Sequence, residues 1–123
     1  MADAGARRDD CLGGGECVTV RGMSIKLVVL YAQPADPTAF DGHYLKVHVP
    51  LAKKVPGLQR FEGSRIAAAL DGGEQTYFRI AELYFSDQAA LQAGLGSKEG
   101  QATAADYQQI APPGSRMFTA NVD

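Results

Sequence analysis

The chain is predicted to adopt an α+β fold, a four-stranded antiparallel sheet with its helices on one face. Three observations lead there. Ile25 to Gln33 carries apolar side chains on both alternating faces, as a central strand covered on both sides does. Phe40 to Leu51 repeats large apolar residues at helical spacing. Thr76 to Ser86 returns to a strand pattern after the turn sequence Asp71-Gly72-Gly73-Glu74, so a hairpin lies in the middle of the chain.

Length and composition bound the rest. A chain of 123 residues supplies one domain with a single core. Its net charge of −2 lacks the clustered Lys and Arg that nucleic-acid binding needs. No apolar run reaches membrane-spanning length or forms the centre of a signal peptide, so a cytoplasmic protein with no membrane partner is expected. Residues 1–22 mix Arg7-Arg8, Asp9-Asp10 and Gly13-Gly14-Gly15 without periodicity, and read as a disordered tail before a domain spanning residues 23–123. Cys11 and Cys17 both fall in that tail, where a lone pair without nearby His makes a poor metal site. The triple glycine lies outside any strand-to-helix turn and is no phosphate cradle.

In chain order, the first strand is Ile25 to Gln33, with Ile25, Leu27, Val29 and Tyr31 on one face and Val28 and Leu30 on the other. Asp36 is a good N-cap and Pro37 suits the first helical position, so a helix is expected from Pro37 to about Lys54. Pro50 removes a backbone donor, which predicts a kink just after His48. Pro56-Gly57 ends that helix, and Leu58 to Leu70 reads as an edge strand of mixed pattern. In the third strand, Tyr77, Ala81, Leu83 and Phe85 alternate with Phe78, Ile80, Glu82 and Tyr84. Ser86-Asp87 caps a helix from Gln88 to about Leu95, weakened at its end by Gly94 and Gly96. A further helical run from Ser97 to Ile110 follows, then Pro112-Pro113-Gly114 and a short strand from Met117 to Val122.

This order is the ferredoxin-like βαββαβ pattern, with both helical layers on one face of the sheet. The other face then exposes Val28, Leu30, Phe78, Ile80 and Tyr84, and a second copy packed sheet to sheet in a homodimer would cover it.

The residues with chemical potential cluster on the first helix. At about 100° per residue, Phe40, Tyr44, Val47 and Leu51 form its inward stripe, with His48 one turn beyond Tyr44 at the stripe's edge. An imidazole there passes protons near neutrality, and the neighbouring phenol can steady an oxyanion, which makes His48 and Tyr44 the catalytic candidates. Asp41, three residues before Tyr44, is placed to orient its hydroxyl in an Asp41–Tyr44–His48 line. The competing structural role for His48 is to cap carbonyls freed by Pro50. His43 falls about 140° around the helix from His48, faces solvent, and is directed away from joint metal ligation. No metal site is expected.

Tyr31, Phe40, Val47, Leu51 and Phe85 are candidate lining for a flat aromatic or polycyclic ligand, although such residues also serve simply as core. Glu82, if it faces inward, requires Arg60 or Arg79 as partner, or else is an acid with a raised pKa. Asp106 either faces the same cavity from the second helical layer or stands in solvent.

The segment Lys26-Leu27-Val28-Val29-Leu30-Tyr31, then Phe40-x-x-His43-Tyr44-x-x-x-His48-x-Pro50-Leu51, resembles the EthD family of dimeric α+β barrel proteins. Pro56-Gly57-Leu58, Ile80-Ala81-Glu82-Leu83-Tyr84-Phe85, Ser97-x-Glu99-Gly100-Gln101 and Asp106 extend the resemblance over roughly residues 25–122. It implies a dimeric barrel with a pocket between helices and sheet in each subunit, and it matches His48 to the family's helix histidine. Proteins sharing this barrel include cofactor-free monooxygenases, a lactone isomerase, and polyketide dehydratases and cyclases, so a reaction is carried over by analogy alone. The first expectation is a small enzyme without cofactor acting on an aromatic, enol or lactone metabolite. On that reading His48→Ala abolishes turnover and leaves the melting temperature nearly unchanged. The alternatives are a non-catalytic binding or accessory protein of a degradation pathway, and haem binding with His48 as axial ligand.

Overall fold

Strand β1 (Ile25–Ala32) lies inside a four-stranded sheet, between β3 (Tyr77–Phe85) and β4 (Arg116–Asn121), with β2 (Arg60–Arg65) on the far edge beside β3. The computed structural model describes residues 24–123, together with the backbone of a short antiparallel ribbon pairing Cys11–Gly13 with Gly15–Cys17. The expectations for the remainder of the tail, and for the cysteine side chains, lie outside the described residues. All three pairings in the main sheet are antiparallel, and the order β2-β3-β1-β4 is the ferredoxin-like arrangement.

The alternation read from β1 holds. Ile25, Leu27, Val29 and Tyr31 are buried beneath the helices, as are Ala81, Leu83 and Phe85 of β3. Val28 stands opposite Glu82 on one side and Phe118 on the other, on the uncovered face. That face joins Val28, Leu30, Ile80, Tyr84 and Phe118, the last 40% exposed. Across it Lys26 Nζ donates to Glu82 Oε2 at 2.8 Å, and the Arg60 guanidinium lies 4.2 Å from the Tyr84 ring centroid. Phe78 is not on this face. The register between β1 and β3 slips after Tyr31, which opposes Arg79, while Ala32 opposes Tyr77. The extra residue turns both Phe78 and Arg79 towards the helices, where Phe78 packs edge-on against Phe40.

The first helical layer runs from Pro37 to Ala52 and is interrupted as Pro50 requires. Asp36 caps it, accepting from the Ala39 amide at 3.1 Å. Helix α1 (Pro37–His43) passes into a π-helical turn (Tyr44–His48) and then into α2 (Val49–Ala52). The Val49 amide reaches back five residues to the Tyr44 carbonyl. The disturbance therefore precedes Pro50 rather than following His48, because the missing amide and the ring of a proline act on the turn before it. The wider turn also resets the inward face. The buried side chains are Phe40, Tyr44, His48 and Ala52, four residues apart, in place of the stripe Phe40, Tyr44, Val47, Leu51. Val47 is 41% exposed and Leu51 is half-buried.

The second helical layer comprises α3 (Gln88–Gly96) and α4 (Lys98–Ile110), capped by Asp87 on the Ala90 amide at 2.8 Å and by Ser97 on the Gly100 amide at 3.0 Å. Gly94 does more than weaken a helix end. A Cβ there would stand 2.7 Å from the Pro56 carbonyl oxygen, and one at Gly100 would stand 2.6 Å from that of Leu95. These glycines let the two helices and the Pro56 loop close on one another. Strand β2 is shorter than expected, since residues 67–70 are exposed and unpaired with the sheet. Among the described residues no helix is long and apolar enough to cross a membrane.

Candidate functional site

The π turn brings together what an ordinary helix would separate. His43 and His48 both reach Asp106 on α4: His43 Nε2 meets Oδ1 at 2.8 Å and His48 Nδ1 meets Oδ2 at 2.8 Å. Five residues make about one turn of a π-helix, so the two imidazoles lie on one side of it. The expectation that they point apart is thus corrected, and so is that of a wholly solvent-facing His43. The two converge on a carboxylate, with His43 38% exposed at the rim, His48 buried behind it and Asp106 partly buried (6% and 10% by side chain).

The other nitrogen of His48, Nε2, lies 3.2 Å from the Tyr31 hydroxyl. A carboxylate only accepts, so the His48 tautomer this geometry assigns carries its proton on Nδ1 and gives it to Asp106. Nε2 then presents a lone pair, accepting from the Tyr31 O–H. Burial, reinforced by the neighbouring Tyr44, Tyr107 and Asp106, pushes the Tyr31 phenol well above its ordinary range and keeps it a donor. At Asp106, partial burial pushes the carboxyl up, but the hydrogen bonds from His43 and His48 outweigh it and hold it below the usual value.

Tyr31 and His48 form part of the wall of a cavity of about 140 Å³ between the helical layers and the sheet. Leu27, Val29 and Leu83 supply its floor, with Phe61, Tyr107 and Met117 around it. Among the described residues no Lys, Arg, Asp or Glu side chain lines it.

The other sequence candidates fall elsewhere. Tyr44 stacks on His48 at 5.7 Å between ring centroids, as its spacing predicts, but it does not line the cavity. Its hydroxyl points to Gly63 on β2 and is buried without a hydrogen-bond partner among the described residues. The Asp41–Tyr44–His48 line does not form. Asp41 accepts from Arg79 Nε at 2.7 Å, and the Arg79 guanidinium sits 4.8 Å from the Tyr44 ring centroid. Phe40 and Phe85 are core, Val47 is on the surface, and Leu51 borders a separate shallow groove with Lys54 and Lys98. Glu82 stands on the opposite face of the sheet from the cavity, because it pairs in register with Val28, and its partner is Lys26 rather than Arg60 or Arg79. Sequence reasoning missed the roles of His43 and Tyr31's hydroxyl. Pro50 was the available signal for the first, since an irregular turn before it alters the spacing of the two histidines.

Comparison with known proteins adds the family. The EthD domain model matches residues 32–112, which include both histidines and Asp106. The chain belongs to the EthD family. An uncharacterized 11.0 kDa protein from the thcB-thcC intergenic region of Rhodococcus erythropolis is 38% identical over 93 residues, covering 76% of this chain and 89% of that one. An EthD family protein of Bacillus halodurans is 35% identical, with a TM-score of 0.75 over 80% of this chain and 97% of that one. Fold alone is shared with the hydroxynitrile lyase of Passiflora edulis (8% identical, TM-score 0.69, 84% and 96% covered). The same holds for SnoaB, a cofactor-independent oxygenase of Streptomyces nogalater (14% identical, TM-score 0.58, 79% and 90% covered). Further structures of this EthD-like fold are described as dimeric ferredoxin-like proteins.

Proposed function

We propose that this EthD protein binds a small, mainly apolar metabolite in its cavity and moves a proton on it through His48, without a cofactor. One observation carries the reading: a buried imidazole, fixed by a carboxylate on Nδ1, holds its other nitrogen at the wall of an uncharged cavity. In that setting Nε2 takes a proton from an acidic C–H or O–H of the ligand. Asp106 stabilises the imidazolium that forms, and the Tyr31 O–H donates to the oxygen on which negative charge develops. The same proton is then returned at the same or a neighbouring atom. This sequence suits isomerase, dehydratase or cyclase chemistry on an aromatic, enol or lactone compound, and the deprotonation that begins a cofactor-free oxygenation. Haem ligation is less favoured, because a cavity of about 140 Å³ is far smaller than a porphyrin requires.

The same proposal includes a homodimer. The uncovered sheet face carries Val28, Leu30, Ile80, Tyr84 and Phe118 around the ion pairs Lys26–Glu82 and Arg60–Glu62, and a second copy removes that surface from water.

The test is proton exchange. In deuterated buffer the wild-type protein is expected to speed deuterium uptake at the enolisable carbon of α-angelica lactone or acetophenone, followed by NMR. His48→Gln is expected to lose this by about a hundredfold or more. Equal rates for the two proteins would overturn the catalytic reading. Binding of the probes without exchange would leave the alternative, a carrier or accessory protein.

A further inference from the structure

We propose that the cavity selects a neutral, single-ring compound bearing one hydroxyl or enol oxygen, of the phenol class, and rejects carboxylates and fused rings. This builds on the reading of the cavity as a ligand site, and does not require that His48 perform chemistry.

Size is the first argument. A cavity of about 140 Å³ is on the scale of engineered protein cavities of ~150 Å³ that hold one benzene ring. A cavity of the volume that holds one ring leaves no room for a second fused to it. That narrows the wider class of flat and polycyclic ligands which aromatic content alone suggests.

Charge is the second. Among the described residues no Lys or Arg side chain lines the cavity to receive an anion. Behind the wall Asp106, hydrogen-bonded to His48 and held ionised, repels a carboxylate. Arg79, the buried cation of this layer, is spent on Asp41. Burying an unpaired carboxylate is costly, whereas a hydroxyl needs only one or two partners.

Those partners are present at one point of the wall. Tyr31 O–H donates and His48 Nε2 accepts, and they meet at 3.2 Å, long for an O–H donor. A ligand oxygen seated beside the pair accepts from Tyr31 and donates to Nε2 as the two draw apart, which replaces one long bond with two. A phenol or enol has both functions on one atom. An ether or ketone oxygen lacks the donor and leaves Nε2 unpaired. Phe61 and Tyr107 then flank the ring.

The experiment is an NMR titration of the full-length protein with p-cresol, toluene, benzoate and 2-naphthol, at about pH 8, above the ordinary imidazole range. The expected result is saturable binding of p-cresol with shifts at Tyr31 and His48, and benzoate and 2-naphthol weaker by about tenfold or more. Tyr31→Phe is expected to remove about tenfold of the preference for p-cresol over toluene. Should that variant not fold, Ala104→Phe, at the exposed end of the cavity wall, is expected to weaken p-cresol by the same order. Absence of p-cresol binding, equal or tighter binding of 2-naphthol or benzoate, or affinity for p-cresol untouched by either variant would overturn the inference. Binding of p-cresol in the absence of proton exchange would remove the catalytic reading alone, and exchange on a larger or charged compound would remove this inference alone.

Discussion

Replacing Asp106 by Asn changes one atom and reverses what the site can do. The wild-type carboxylate accepts two hydrogen bonds at 2.8 Å, one from each histidine. Asn offers one accepting oxygen and one donating nitrogen, so one of the two imidazoles must give up its bond or change tautomer. If the amide nitrogen faces His48, Nδ1 becomes the acceptor and the ring proton moves to Nε2, which no longer presents a lone pair to the cavity. A hydrogen bond to a charged partner is worth about 1.5–3 kcal/mol, and one of two is forfeited in a nearly buried setting, so a loss of about 2 kcal/mol in unfolding free energy is expected. Exchange activity is expected to fall by about a thousandfold. The pH dependence has a definite sign. The Asp106 pKa is lowered in the folded protein, so its contribution is complete above the unfolded value of 3.8 and disappears as pH falls through the lower folded value. Urea unfolding curves of wild type and Asp106→Asn are therefore expected to differ near neutrality and to converge in acid below the ordinary carboxylate range. Nitrogen-15 spectra of the imidazoles report the tautomer directly. Unchanged stability together with a His48 ring still protonated at Nδ1 would refute the reasoning.

His48→Ala is expected to cost about 2 kcal/mol or more, since it strands Asp106 Oδ2 and the Tyr31 hydroxyl, so the nearly unchanged melting temperature expected from sequence is replaced by a clear drop; calorimetry decides. His43→Gln keeps a donor for Asp106 Oδ1, and His43→Leu does not, so only the leucine variant is expected to raise the Asp106 pKa, followed by carbon-13 NMR of its carboxyl group, a difference that a purely structural role for position 43 would not produce. Gly100→Ala places a methyl group among the Gly94 and Leu95 carbonyls and is expected to destabilise the fold by about 2–4 kcal/mol in denaturant unfolding, far more than Gly42→Ala, where the space is open. Val28→Asp with Phe118→Asp charges the uncovered sheet face, and light scattering is expected to show monomers where wild type gives dimers; a wild-type monomer would remove the dimer.

Most of the fold was legible because strand periodicity and cap chemistry are local. Asp36, Asp87 and Ser97 cap helices that composition marks out, and β1 and β3 carry their burial in their alternation. The departures each have a nonlocal or irregular cause. The bulge that turns Phe78 inward depends on the pairing of β1 with β3. Glu82 appears embedded in an apolar strand, yet register sends it outward to Lys26, fifty-six residues away in the chain. His48 was identifiable from the sequence, but Asp106 became its partner only through the packing of α4 against the first helical layer, and Tyr31's hydroxyl only through that of β1 beneath it. Tyr44 stands away from the cavity for a related reason: its spacing to His48 sets the stacking of the rings and says nothing about which way the hydroxyl points.

The widened turn at Tyr44–His48 makes the site sensitive to chain length as well as to side-chain identity. Deleting one surface residue there, Leu45 or Lys46, leaves the histidines four apart and still on one face of a regular α-helix, whereas inserting one leaves them six apart and turns one imidazole about 120° away from the other, with every functional side chain still in the sequence. Substitution and deletion scans across these positions would record tolerance where an insertion scan records collapse of the site.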